Sequence, residues 1–219
     1  MTTRKDLLLQ GRAAAIAATP DSAWRHGKAP DYGFSDTQMP VQRTSQHAAG
    51  SLGAIVEGLV QIFEMEVSNK PDPATWLSVA RDHFRMNING GEVASADLTA
   101  THGTYNLLIG ESPYYSAKEE TFASSHEVFH KTFPGGFLWE VLEVYSPPPV
   151  ITFKWRHWGV FDGPYKGFAP TGKTLELFGM TLVRVDDELQ ILDLEHYYDN
   201  NTLLQELTGG CPIPHPPKP

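Results

Sequence analysis

The sequence contains a single cysteine, Cys211, and no long apolar run. One cysteine cannot build a disulfide framework and is typical of a reducing compartment. No segment approaches the ~18 consecutive apolar residues that a membrane-spanning helix needs. Near the N-terminus, Gln10, Gly11 and Arg12 interrupt the apolar residues Leu7–Leu9, which argues against a secretory signal. We therefore expect a cytoplasmic protein without a membrane-spanning segment.

Positive charge is also scarce, with 17 lysines and arginines against 26 aspartates and glutamates and a net charge of −9. Phosphate binding requires clustered basic side chains, so this balance argues against a nucleic-acid partner. The glycines form no G-x-G-x-x-G pattern and no phosphate loop, so we expect no nucleotide cofactor. A chain of 219 residues with 41% hydrophobic residues is long enough for one well-buried domain with extensions.

The chain divides into an N-terminal arm (1–50), a body (51–208) and a Pro-rich C-terminal tail (209–219). The arm contains a predicted helix, Lys5–Ala18, that ends before Pro20. It also carries Trp24, Tyr32 and Phe34. Because a free tail rarely holds so many aromatics, we expect the arm to lie in an ordered form over the body.

The body changes its hydrophobic period along the chain. Apolar residues at helical spacing predict a helix over 51–68 with Ser51 as its N-cap. Further predicted helices are Ala74–His83, Asp97–Ile109, Glu119–Thr132 and Asn200–Leu207, with a first strand at Arg85–Asn89. A period of two then predicts four strands in meander order, Phe137–Tyr145, Val150–Trp158, Leu175–Val185 and Leu189–Tyr198. Helices followed by an antiparallel sheet indicate the α+β fold class.

The stretch Phe153–Lys173 is the most informative segment of the sequence. It begins as an alternating strand, with Phe153, Trp155 and His157 on one face. A loop rich in glycine and proline follows, and a second strand comes after it. Two aromatic strands joined in this way are typical of the mouth of a curved antiparallel sheet, where small ligands commonly bind.

Four further features of the sequence are Phe133-Pro134, the segment GVFDGPYKGFAPTGK, Arg184, and Asp199 followed by LLQEL. Together they resemble the motifs of the SnoaL-like polyketide cyclases. A closer resemblance is to the plant pathogen-related proteins, through AWRHGKAPDY, FEMEV, EVLEVYSPPP and FKWRHWG. The resemblance implies a cone, in which a curved antiparallel sheet wraps around N-terminal helices, and a homodimer formed through the convex face of the sheet.

The resemblance also implies candidate catalytic residues. Asp199 matches the acidic residue that these cyclases use as a general acid or base, although an aspartate there could equally cap the following helix. Many SnoaL-like cyclases carry a histidine two residues after the glycine that matches Gly159, whereas this sequence has Phe161. His157 could substitute for that histidine, or it could be a hydrogen-bonded core residue.

A second pattern, His126-Glu127-Val128-Phe129-His130, matches the H-E-x-x-H signature of zinc proteases. Histidines at i and i+4 of a helix suit zinc, but a third ligand could come only from Glu140, Glu143 or another strand. A coincident match without metal is the simpler interpretation, so His126 and His130 are minor metal candidates.

These observations favour a cofactor-independent cyclase, isomerase or dehydratase that acts on a hydrophobic small molecule of polyketide- or terpenoid-type metabolism. Asp199 would transfer the proton and His157 would assist it. The predicted substrate contacts are Trp155, Phe161, Tyr197, Phe63 and Tyr105. The alternative is a non-catalytic protein that binds a similar ligand in a stress or pathogen response.

Overall fold

The computed structural model describes residues 2–209. Its α-helices are α1 (Arg4–Gln10), α2 (Arg12–Ala17), α3 (Gly33–Gln42), α4 (Leu52–Asn69), α5 (Ala96–His102), α6 (Thr104–Ile109), α7 (Phe122–Thr132) and α8 (Asn200–Thr208). Its strands are β1 (Arg85–Ile88), β2 (Glu111–Ser112), β3 (Tyr115–Ser116), β4 (Leu138–Ser146), β5 (Val150–Val160), β6 (Thr174–Val185) and β7 (Ile191–Tyr198). No helix within residues 2–209 is long and apolar enough to cross a bilayer.

The main sheet has the strand order β1-β7-β6-β5-β4. Strands β4 to β7 form the predicted antiparallel meander, whereas the short edge strand β1 runs parallel to β7. Register shifts in β4 between Val141 and Glu143 and between Val144 and Ser146 bend this strand against β5. The sheet is curved and open, and helices cover one of its faces, which confirms the predicted α+β class.

Helix α4 is the central helix of the body, as its hydrophobic spacing predicts. Ser51 caps it by accepting a hydrogen bond from the backbone N–H of Ala54 at 3.3 Å. The buried apolar residues of α4 are Val56, Leu59, Ile62, Phe63, Met65 and Val67. They face β4 and the inner side of the sheet, so the main core lies between α4 and the strands.

The N-terminal arm is ordered and packs on α4. Its predicted single helix is broken, because Gly11 adopts φ +87° between α1 and α2. Both short helices contact α4, and Leu8, Ala15 and Trp24 are buried in the main core. Further along, Gln42 accepts a hydrogen bond from the Trp158 indole at 3.0 Å, so the arm also reaches the outer face of β5.

The predicted helix Ala74–His83 is wrong. A short 3-10 turn, Pro73–Thr75, is followed by extended chain, because the Glu66 carboxylate accepts the backbone N–H groups of Leu77 and Ser78. The next residues pair with β7, where Ala80 donates its N–H to the carbonyl of Ile191 at 3.1 Å. Tertiary hydrogen bonds therefore override the helical pattern of this segment.

One further helix prediction also needs correction. Gly103, at φ +83°, splits the predicted helix Asp97–Ile109 into α5 and α6. The Gly/Pro loop that joins β5 to β6 packs on the end of α7, where Gly163 donates its N–H to the Thr132 carbonyl at 3.0 Å. Residues 210–219 lie outside the described residues, so of the predicted tail only Gly209 is described, as the C-cap of α8.

The outer face of the sheet carries several exposed apolar side chains. Phe178, Met180 and Leu182 alternate along β6, and Tyr197 stands beside Met180 on β7. Each of these side chains is at least 37% exposed. The opposite face of the same strands points toward α4, so the two faces of β6 have different surroundings.

Candidate functional site

A cavity of about 960 Å3 lies between α4, α7 and the inner face of the sheet. This volume falls within the roughly 300–1,000 Å3 of typical small-ligand sites. Its wall is mainly apolar, with Val56, Leu59, Phe63, Phe129, Phe133, Phe137, Trp139, Ile151, Phe153, Val183, Val185 and Leu194. The cavity therefore suits a hydrophobic molecule, and the few polar groups along its wall determine what else it can do.

The N-terminal arm supplies part of this wall. Arg12, Tyr32 and Phe34 border the space together with Glu64 of α4. The Arg12 guanidinium forms an ion pair with Asp36 and lies 3.7 Å from the centroid of the Tyr32 ring. A segment outside the predicted body thus brings charged and hydroxyl groups to the cavity.

Glu64 is the carboxylate of α4 that borders the cavity. Its side chain is exposed by surface area, although neighbouring protein atoms shield the carboxylate in part from water. This partial desolvation raises the pKa of Glu64 to about 7, while the positive charge of Arg12 opposes the shift. A carboxyl group with such a pKa can both give and take a proton near neutral pH.

His157 lines the cavity from β5 and belongs to a stack of three aromatic rings. Its ring lies 3.7 Å from the Phe137 ring, which in turn stacks on Phe133 at 4.4 Å. Burial lowers the pKa of His157 to about 3, so the imidazole is neutral at physiological pH. Its Nδ1 is buried and has no hydrogen-bond partner among residues 2–209.

His126 lines the cavity from α7, one helical turn before His130. Its Nδ1 lies 2.8 Å from the carbonyl oxygen of Phe122. Because a carbonyl oxygen can only accept a hydrogen bond, Nδ1 carries the proton and Nε2 carries a lone pair. Nε2 is buried without a partner among the described residues. Burial lowers the pKa of His126 to about 4, assisted by the charges of His130 and Arg25.

The H-E-x-x-H pattern does not gather a metal-binding set in residues 2–209. No group of three histidine, cysteine, aspartate or glutamate side chains in this range is placed to hold an ion. The rings of His126 and His130 are 6.1 Å apart. Glu140, considered as a third ligand, instead accepts hydrogen bonds from Thr44, Ser45 and Arg156.

A buried hydrogen-bond chain fixes the state of a third histidine, His196 of β7. The Trp155 indole donates to the Thr181 hydroxyl at 2.8 Å, and this hydroxyl lies 2.8 Å from His196 Nδ1. Because fully buried Thr181 has no other acceptor for its proton among residues 2–209, it donates to Nδ1, and the His196 proton sits on Nε2. Burial lowers the pKa of His196 to about 4.

The structure brings together only some of the residues that the sequence indicates. His157, Phe63, Tyr105, His126 and His130 all line the cavity. Tyr105 stacks on Phe129 with 4.5 Å between the ring centroids, so it forms part of the cavity wall. These five residues come from α4, α6, α7 and β5, which meet around one space.

The other predicted site residues lie elsewhere. Asp199 is exposed and caps α8, because it accepts hydrogen bonds from the Asn201 N–H and the Thr202 hydroxyl. Tyr197 points to the outer face and donates its hydroxyl to Glu195 at 2.9 Å. Trp155 and Phe161 are buried in the core behind the cavity wall. The sequence allows two roles for the Asp199 carboxylate, acid–base catalysis and capping of the following helix. The structure shows the carboxylate as a helix cap.

Sequence reasoning missed Glu64, Arg12, Tyr32 and His196. A signal for Glu64 exists, since Glu64 and Glu66 alternate with the apolar residues Phe63, Met65 and Val67. Glutamates are almost never buried unless paired, so two of them in the segment FEMEV could have been singled out.

Comparisons with known proteins give one close relative and several distant structural neighbours. The pathogen-related protein of barley, Hordeum vulgare, is 32% identical over 208 residues, a match that covers 88% of either chain. A Jannaschia protein provisionally described as a SnoaL-like polyketide cyclase is 14% identical, covering 76% of this chain and 100% of its own, with a TM-score of 0.43. IdmH of Streptomyces antibioticus, also provisionally described as a polyketide cyclase, is 15% identical over 68% of this chain and 96% of its own, with a TM-score of 0.42. No family model matches the sequence.

Proposed function

The chain belongs to the family of the barley pathogen-related protein, and we propose that it binds a hydrophobic small molecule and converts it by acid–base chemistry. The proposed reaction is a cyclisation, isomerisation or dehydration of a polyketide- or terpenoid-type compound, without a cofactor. The proposed partner is a small molecule and not a nucleic acid, because the acidic net charge of −9 disfavours phosphate binding. A cytoplasmic location remains a prediction.

The observation that carries this proposal is the combination of an apolar cavity with buried, unpaired nitrogens on its wall. His157 Nδ1 and His126 Nε2 both lack partners among residues 2–209. An unpaired buried polar atom costs about 1–3 kcal/mol, and a ligand group removes this cost where a small movement of the ring turns the nitrogen toward the cavity. The wall is therefore complementary to a molecule that is mostly apolar and carries a few polar atoms.

The proposed roles follow from the placement of the residues. Phe63 and Tyr105 contact the apolar body of the ligand, while Trp155 and Phe161 support the wall from behind. His157 orients the ligand through its neutral imidazole. The proton carrier must border the cavity, and Asp199 does not.

Prodan, a neutral fluorescent ketone, tests whether the cavity binds such molecules. We expect saturable binding with a blue shift of the emission, and we expect Val60→Trp, which adds an indole to the wall, to weaken it at least tenfold. Val60 is half-buried and lines the cavity, while Leu98→Trp on the exposed side of α5 is the matched control. Absence of binding, or equal binding by both variants, contradicts the proposal.

The second candidate is a binding protein without catalytic activity. The observation in its favour is that Asp199, the acid–base residue implied by the resemblance, is occupied as the cap of α8. Proton exchange separates the two candidates. An acid–base enzyme accelerates the exchange of α-protons of β-tetralone in deuterium oxide, as followed by proton NMR, whereas a binder holds the ketone without exchange.

A further inference from the structure

Helix α4 carries three glutamates, and they differ in what they bind. Glu57 forms an ion pair with Arg43 at 2.7 Å. Glu66 is fully buried and accepts hydrogen bonds from Lys70 and Ser78. Glu64 makes no ion pair with any cation of residues 2–209 and borders the cavity instead. Of the three carboxylates, Glu64 is thus the one that is free to meet a ligand.

The N-terminal arm provides the charged neighbours of Glu64. Arg12 is the cation whose field acts on it, but the guanidinium itself pairs with Asp36. Tyr32, under that guanidinium, accepts a hydrogen bond from the Asn69 amide at 3.3 Å. The Arg12 charge thus favours the ionised form of Glu64 without occupying its oxygen atoms.

Two tyrosine hydroxyls near Glu64 stay protonated. Burial raises the pKa of Tyr32 to about 12, and burial together with the Glu64 charge also raises the pKa of Tyr105. Neither hydroxyl ionises at physiological pH, so both can donate hydrogen bonds to an oxygen atom of a ligand. The titratable or charged groups that border the cavity from the arm, α6, α7 and the sheet are Arg12, Arg25, His26, Asp31, Tyr32, Tyr105, His126, Glu127, His130, Lys131, His157 and His196.

We propose that Glu64 is the proton-transfer residue of the cavity and that the arm completes the site through Arg12 and Tyr32. The substrate class is a neutral hydrophobic ketone whose carbonyl lies at the end of the cavity near the arm. This inference rests on the proposed function, and it assigns the chemistry to a residue and a segment that lie outside the motifs of the resemblance.

The step is balanced without a co-reactant. The Glu64 carboxylate takes a proton from the carbon next to the carbonyl, and the electrons of that C–H bond form a carbon–carbon double bond. The π electrons of the carbonyl move to its oxygen, which accepts a hydrogen bond from Tyr32 of the arm. Return of the proton to the same carbon exchanges it with solvent, and return to a conjugated carbon moves the double bond. A pKa near the working pH suits both directions of this transfer.

The test measures α-proton exchange of β-tetralone and prodan binding on the same preparations of the full chain. We expect Glu64→Gln to lower the exchange rate about 100-fold or more, because general acid–base groups contribute about 100- to 10,000-fold. Prodan affinity should change less than twofold. The matched control is Glu206→Gln on the exposed surface of α8, which should leave both measurements unchanged.

A second variant keeps the carboxylate and changes its environment. The charge of Arg12 lowers the pKa of Glu64, so Arg12→Gln should move the midpoint of the pH–rate profile upward. A purely structural role of Glu64 would not produce this shift.

The outcomes separate the inference from the proposed function. Exchange that survives Glu64→Gln, or that is lost in Asp199→Asn alone, overturns the inference and leaves the proposed function standing. If the wild type binds prodan but exchanges no α-proton of β-tetralone, the inference about Glu64 is overturned as well. This result favours the second candidate, a binding protein without catalytic activity. If the wild type does not bind prodan, the proposed function itself fails.

Discussion

The attachment of the arm to the sheet depends on one buried carboxylate, Glu140, and we predict that Glu140→Gln loosens it. Glu140 is fully buried on β4. Its oxygens accept the backbone N–H and hydroxyl groups of Thr44 and Ser45, and one of them accepts Arg156 Nη1 at 3.0 Å. Burial alone would raise the pKa of Glu140, but the hydrogen bonds from Ser45, Arg156 and Thr44 outweigh it and hold the pKa below its usual value.

The expected cost follows from these contacts. Glutamine keeps the shape of the side chain but turns one acceptor into an amide N–H2 group that faces donors. It also leaves the buried guanidinium of Arg156 without its inner anion. Breaking a buried ion pair typically costs about 3–5 kcal/mol. Because Glu176 also binds Arg156, at 2.6 Å, we expect about 3 kcal/mol.

Urea unfolding at pH 7 measures this cost, with Glu176→Gln as the matched control. Glu176 binds the same arginine, but its side chain is 44% exposed, so its loss should cost less than about 1 kcal/mol. Prodan affinity should also fall in Glu140→Gln, because the arm carries Arg12 and Tyr32 to the cavity. Equal free-energy losses in the two variants would refute the reasoning that burial decides the strength of the attachment.

Three further predictions concern pH, packing and assembly. The pKa of His157 is about 3 in the folded protein, so His157 stabilises the fold above its unfolded pKa of about 6.5 and loses this contribution as the pH falls toward 3. In His157→Gln, the free energy of unfolding from urea titrations should therefore depend less steeply on pH, by about 1.4 kcal/mol per pH unit between pH 6 and 4. An unchanged slope contradicts the assigned pKa shift of His157. Gly179→Ala places a Cβ 2.3 Å from Trp155 Cζ2 and should cost about 1–3 kcal/mol, whereas Gly58→Ala, with open space around it, should not destabilise the protein. The proposed homodimer uses the outer face of the sheet, so Met180→Lys should yield monomers in analytical ultracentrifugation. A wild type that is already monomeric contradicts the proposed homodimer.

Hydrophobic periodicity predicted the elements whose packing agrees with their local pattern. Helix α4 and strands β4 to β7 lie within a few residues of their predicted limits, because each buries one consistent face. The segment Ala74–His83 failed for the opposite reason. Its N–H groups bind Glu66 and β7, and neither partner is visible in a local window of sequence.

The candidate site was predictable only in part. His157 and Phe63 could be placed on the inner face, because alternation and helical spacing indicate which side of an element is buried. Glu64 and Tyr32 could not, since their neighbourhood depends on how the arm folds back over α4. Asp199 shows the limit of motif transfer, because the same carboxylate that suits acid–base chemistry also suits a helix cap, and only the position of the cavity separates the two.

The fixed protons of two histidines give the cavity a polarity. His126 turns a lone pair toward a partner on the side of α7, whereas His196 holds its N–H on the side of β7. A group that bonds to His126 Nε2 must donate a hydrogen bond, whereas a group that bonds to the His196 N–H must accept one. A carbonyl oxygen therefore suits His196 and is repelled by His126, while a hydroxyl group can serve either ring. The hydrogen bonds of Phe122 and Thr181 thereby fix which of the two rings accepts and which donates.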